Sequence, residues 1–166
     1  MRKIITITII CIFLATLVSL VILRTLGPAK VYIKTLDGNR FQLIVNNKPY
    51  IIKGVVYSPV PIGKDYAYEF WSDPERPYLY DARLMKAMGV NTIRVYLPGK
   101  DPLKTKNVIR EFYNKFGIRT AMGHWLGFWD YPNYADPSFR EKVKKDVIDM
   151  VNTYKDEKGI LFWILG

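Results

Sequence analysis

The hydrophobic positions follow two periods along the chain. From Val31 the pattern has period two: VYIKT, the turn signal Asp37-Gly38-Asn39, then FQLIV predict a β-hairpin, with a second turn at Asn46-Asn47-Lys48-Pro49. An apolar strand, YIIKGVVYSP, follows and stops at Pro59. Helical and strand patterns then alternate. Asp101-Pro102 and Asp136-Pro137 each place an N-cap acceptor before a proline at the first helical position, and Asp73-Pro74 opens a looser lead-in to a helix over Tyr80 to Met88. Val108, Ile109, Phe112 and Phe116 share one face of the second helix. Phe139, Val143, Val147, Val151 and Tyr154 share one face of the third. Gly89, Gly117 and Gly159 stand where a left-handed cap suits glycine. The strands NTIRVYLP, IRTAMGHW and GILFWILG come next after each helix, the last apolar enough to be buried on both faces.

The order is therefore a hairpin followed by βαβαβαβ, an α/β arrangement of parallel strands with helical crossovers. Four strands and three helices make half of a TIM (β/α)8 barrel, with residues 31–49 as the hairpin lead-in and 50–166 as a half-barrel cut at the end of its fourth strand. An open four-strand sheet is the competing architecture, and it leaves apolar edges uncovered. Those same edges give a half-barrel a route to self-association.

Residues 1–30 read differently. Ile4 to Leu23 is a run of twenty residues without a charge after Met1-Arg2-Lys3, enough for a helix to cross a bilayer. This predicts an N-terminal hydrophobic helix acting as an uncleaved signal anchor, with a cleaved signal peptide as the rival reading. Either places the remaining domain outside the cytoplasm, membrane-anchored or secreted. The net charge is +10, and residues 31–166 retain +6, with 21 cations against 15 acids. A positive domain beside a membrane suits anionic headgroups or acidic polymers. The cations are scattered and no basic motif appears, which argues against nucleic acid. One cysteine, Cys11, and one histidine, His124, exclude a disulfide framework and any thiolate or histidine-rich metal site. No cofactor is expected.

From Phe41 to Gly166 the chain resembles the N-terminal half of a retaining glycoside hydrolase barrel, of the clan that includes the β-galactosidase/β-glucuronidase family. The landmarks are VNNKPYIIKGVVYSP, DARLMKAMGVNTIRVYLP, FGIR and GILFWILG, in that order. GVNTIRVY is also similar to the fungal cell-wall glucanosyltransferases. The resemblance implies hydrolysis of O-glycosidic bonds with retention, by two glutamates about 5 to 5.5 Å apart. It places the acid/base after a Leu-Gly-Asn-Glu ending of strand four and the nucleophile on strand seven. Both positions lie beyond Leu165-Gly166, so this polypeptide is expected to be inactive alone. The resemblance also implies that Arg94 supports the nucleophile. Where β-galactosidase-like members carry Asp-Glu after strand three, this chain has Gly123-His124-Trp125.

Alternation in the second parallel strand sets Ile93, Val95 and Leu97 toward the helices and Arg94 and Tyr96 toward the barrel interior. A buried arginine there calls for a carboxylate partner. His124, at the end of the third strand, and Tyr57, at the end of the first, stand on the rim where barrel enzymes place their chemistry. The loops Ser58–Tyr80 and Trp125–Tyr134 hold 11 of the chain's 24 aromatics. Flat rings of this kind stack on sugar faces, which makes Trp71, Trp125, Phe128 and Trp129 candidates for an oligo- or polysaccharide. Asp65, Asp73 and Asp130 are weaker candidates for hydroxyl binding. Trp163 is expected to face the helices. A non-catalytic sugar-binding or assembly module that keeps the aromatic loops is the alternative to an enzyme.

Overall fold

The computed structural model describes residues 11–16, 30–126 and 133–166. Among the described residues after 30, seven strands, three α-helices and one 3-10 turn follow one another. The strands and α-helices are β1 (Val31–Leu36), β2 (Arg40–Val45), β3 (Lys48–Pro49), β4 (Gly54–Val56), α1 (Tyr78–Ala87), β5 (Thr92–Val95), α2 (Pro102–Phe116), β6 (Arg119–His124), α3 (Pro137–Tyr154) and β7 (Ile160–Leu165). They build a mixed α/β fold with two sheets. β1, β2 and β3 form an antiparallel sheet in that order, and β4, β5, β6 and β7 form a parallel one. The parallel sheet does not close on itself: β4 pairs with β5 and β7 with β6.

The expected run of charge-free residues, 4–23, lies largely outside the described residues. Its residues 11–16 are helical and exposed. Among the described residues no helix is long and apolar enough to cross a membrane.

Capping fixes the helices much as the sequence predicts. The Asp101 carboxylate accepts from the backbone N–H of Leu103 and Lys104 at the start of α2, and Gly117 ends that helix at φ 68°. Asp136 accepts from Ser138 at the start of α3. Two details differ. α1 starts at Tyr78, two residues earlier than expected, with Asp73 held instead in the preceding turn by Glu75 N–H and the Tyr68 hydroxyl. Gly159 is not a left-handed cap. It is glycine because an added Cβ would lie 2.7 Å from Ile109 Cγ2 and 2.9 Å from the Ile109 carbonyl, so α2 passes directly over the entrance to β7.

One core lies between the helices and one face of the parallel sheet. Ile93, Val95 and Met122 from the strands meet Val108, Ile109 and Phe112 from α2 and Ala82 and Met85 from α1. Trp163 packs against this core as expected. Leu97 does not: β5 ends at Val95 and Leu97 is exposed. The face of α3 seats Met150 and Tyr154 fully, whereas Phe139, Val143 and Val147 are half-buried.

β4 is shorter than its sequence suggests because Asn91 replaces part of its pairing. The Asn91 side chain accepts from Lys53 N–H and donates to the Ile51 carbonyl, while its own N–H donates to the Lys53 carbonyl. The Tyr50 hydroxyl donates to the Asn91 carbonyl at 2.9 Å, which ties the antiparallel sheet to the N-terminal ends of the parallel strands.

Outside the sheet, Glu111 of α2 receives hydrogen bonds from Arg76, the Tyr78 hydroxyl and Lys115. Burial raises its pKa, but these three donors outweigh burial and hold it at about 2. Because the folded value lies below the ordinary 4.5, the stabilisation is complete above about pH 4.5 and is lost as pH falls toward about 2. Acid titration of stability in denaturant should therefore show a falling limb over that range, which Glu111→Gln flattens. Gly159→Ala should lower stability by about 1 to 3 kcal/mol through overpacking against Ile109, read as an earlier denaturation midpoint.

Candidate functional site

Register and alternation decide which side chains reach the open face of the parallel sheet. Val56, Arg94 and Ala121 are paired neighbours across β4, β5 and β6, and Ala121 is paired with Phe162 of β7. They share the face opposite the helices. Arg94 is half-buried there, its guanidinium 5.3 Å from the centre of the Tyr96 ring. The Tyr96 ring in turn meets Trp125 edge to face, with centroids 6.2 Å apart. Three of the predicted residues, Arg94, Tyr96 and Trp125, thus form one continuous group at the C-terminal rim of β5 and β6. Tyr96 and Trp125 are each about two-fifths exposed, at 41% and 38%.

The carboxylate expected beside Arg94 is absent among the described residues. Its Nε is buried without a hydrogen-bond partner, as are His124 Nδ1 and Thr120 Oγ1. A buried guanidinium N–H left unpaired costs free energy, so it marks a place where a further acceptor belongs.

The other candidates fall elsewhere. His124 ends β6 on the side of Met122, away from Arg94, because it stands two positions on from that core methionine, with only Gly123 between. Asp146 of α3 lies on that side, its carboxyl held below the ordinary range chiefly by its hydrogen bond from Lys142. Tyr57 shares the side of Val55 and is 8% exposed. It packs edge to face on Phe70 and Phe112 and donates its hydroxyl to Asp81 at 2.7 Å. Burial, reinforced by that hydrogen bond, raises its pKa far above the phenol range. Trp71 is 6% exposed and stacks on Phe70. Trp71 and Tyr57 therefore lie in the core beneath the rim, with little surface left for a ligand. The long loop after β4 folds inward around a single 3-10 turn at Phe70–Ser72 and buries its own aromatics. Phe128, Trp129 and Asp130 lie outside the described residues.

That inward fold produces a cleft of about 320 Å³ at the C-terminal ends of β4 and β5. Tyr57, Phe70 and Trp71 contribute to its lining from beneath, and Tyr66, Glu69, Tyr96 and Lys100 line it as well. Glu69 is the residue the sequence reading misses. Its Oε1 accepts from Lys100 N–H at 2.6 Å, and a Cβ at Gly99 would lie 2.7 Å from that oxygen. Gly99 N–H donates to Thr105 Oγ1, which donates to the Asp101 carbonyl, so the loop after β5 is tied to the start of α2. The available signal was Pro98-Gly99, a glycine between a strand and a helix cap where backbone and side chains crowd. In the same region the Tyr68 hydroxyl is pushed up to about 12, by burial first and then by its bond to Asp73.

Substitutions should separate the floor from the rim. Trp71→Ala should cost about 3 to 5 kcal/mol in a chemical denaturation curve, as for large aromatics removed from cores. Tyr96→Ala should change stability by about 1 kcal/mol or less, as for exposed positions. Arg94→Met should leave the midpoint unchanged or raise it, because an unpaired, half-buried guanidinium contributes little stability.

No protein-family profile matches the chain, and no curated protein matches it. Solved structures do. The exo-chitosanase CsxA of Amycolatopsis orientalis superposes with a TM-score of 0.52 at 17% identity, over 82% of this chain and 15% of that one. A structure of the exo-beta-D-glucosaminidase CsxA, inhibited by a glucosamine-configured castanospermine and an amino-australine analogue, gives 0.53 at 17% identity, over 82% and 16%. The chain thus spans about a sixth of the solved chains it matches, and what it shares with these glycosidases is the fold.

Proposed function

We propose that this chain is the opening half of a retaining glycoside hydrolase barrel, acting on O-glycosidic bonds of an oligo- or polysaccharide. One observation carries the reading: an arginine with an unpaired N–H, a tyrosine and a tryptophan stand together at the C-terminal rim of four parallel strands. That is the rim on which barrel enzymes assemble their sites. The glycosidase-like fold of the solved neighbours agrees with it. Flat rings offer a stacking surface for a sugar, and Arg94 offers N–H donors to a carboxylate.

Among the described residues, the sheet positions paired with Arg94 on this open face carry no carboxylate. The positions from β4 to β7 are Val56, Arg94, Ala121 and Phe162. On this reading the acid/base and the nucleophile both come from outside residues 30–166, and the polypeptide alone does not turn over. The acidic partner that Arg94 lacks is then the nucleophile it supports. The enzyme works outside the cytoplasm, with residues 4–23 holding it at a membrane. A glucanosyltransferase of the same barrel type differs only in the acceptor that resolves the glycosyl-enzyme.

The missing carboxylates also favour a second reading, a sugar-binding module without catalysis. Titration of the full chain with chitosan, cello- and laminari-oligosaccharides, followed by tryptophan fluorescence, tests both. We expect a change with at least one series that Tyr96→Ala and Trp125→Ala weaken by about tenfold, as for one lost stacking contact. Silence with every series sinks the sugar reading. Release of nitrophenol from an aryl glycoside by the chain alone, retained in Arg94→Met, sinks the assignment of the carboxylates.

A further inference from the structure

The β1–β2 hairpin has one apolar face and one mixed face. In register, Val31, Ile33 and Thr35 lie beside Val45, Leu43 and Phe41, and Tyr32, Lys34 and Leu36 lie beside Ile44, Gln42 and Arg40. The first face is apolar, yet its outer part is uncovered: Phe41 is 70% and Ile33 59% exposed. The second face is mixed: Lys34, Gln42 and Arg40 stand beside Tyr32, Leu36 and the buried Ile44, and the Lys30 ammonium sits 5.6 Å from the centre of the Tyr32 ring. Residues 30–53 hold five cations, Lys30, Lys34, Arg40, Lys48 and Lys53, against the single acid Asp37.

An exposed phenylalanine and isoleucine on a sheet whose segment carries five cations against one acid is the β counterpart of an interfacial amphipathic helix. Long lysine and arginine stems can lay their charge back to a headgroup while the apolar face enters the acyl boundary. The sheet also follows the charge-free run 4–23 after only a few residues. Its attachment through Tyr50 and Asn91 is at the N-terminal ends of the parallel strands, the end opposite Tyr96 and Trp125.

We propose that the Ile33–Phe41 face of this hairpin docks on the surface of an anionic phospholipid bilayer. Docking there sets the N-terminal ends of the parallel strands toward the membrane and opens the cleft at their C-terminal ends to water. The inference rests on the hairpin surface and is independent of the glycosidase reading.

The test uses the full chain reconstituted in phosphatidylcholine vesicles with and without phosphatidylglycerol. A nitroxide is attached at Phe41→Cys or at Tyr66→Cys, each in a Cys11→Ser background, or at native Cys11. Collision with oxygen and with a water-soluble nickel complex is then measured. With phosphatidylglycerol, the label at 41 should become several-fold less accessible to nickel and more accessible to oxygen, while the label at 66 stays open to nickel. Lys34→Glu with Arg40→Glu should abolish the change. A label at 41 as open to nickel as that at 66 overturns the proposal, and so does one shielded from both reagents, which reports a protein contact. The label at Cys11 reports the run 4–23 separately, so failure of the hairpin to dock is distinguishable from failure of that run to enter the bilayer.

Discussion

The rest of the structure depends on the two-sidedness of the parallel strands. Each of β4 to β7 sends alternate residues to opposite faces, and the helical crossovers cover only one of them. Ile93, Val95 and Met122 are drawn into the helix-covered core, and that burial fixes the register. Once the register is fixed, Arg94 has nowhere to go but the open face. Its unpaired N–H is a consequence of the apolar residues on either side of it.

The loop after β4 obeys the same pressure at longer range. Its aromatics cannot all be solvated cheaply, and Phe70 and Trp71 turn inward to close the end of the core above Tyr57. The rim is then shaped by what remains outside: Tyr66, Tyr96, Trp125 and the backbone-bound carboxylate of Glu69. Close approach of α2 to Gly99 holds this rim to the helix layer, and its approach to Gly159 does the same at the opposite end, where β7 begins, since each glycine leaves room that a side chain would fill.

The two sheets divide the chemistry of the chain between two ends. The antiparallel sheet concentrates cations and exposed apolar groups where the parallel strands begin, tied there by Tyr50 and Asn91. The arginine, the aromatics and the cleft lie where those strands finish.

The sequence by itself determined the order of elements, the caps at Asp101, Asp136 and Gly117, and the sides taken by Ile93, Arg94 and Trp163. Each is a local property, set by period or by a cap within a few residues, and each survives folding unchanged. Only the tertiary structure decided that Tyr57 and Trp71 are core, that His124 looks toward α3, that Gly159 makes room for Ile109, and that Glu69 lines the cleft. Those outcomes depend on which distant segment arrives opposite a given residue. An aromatic in a loop reads the same whether it meets solvent or Phe112, and neither period nor composition records that meeting.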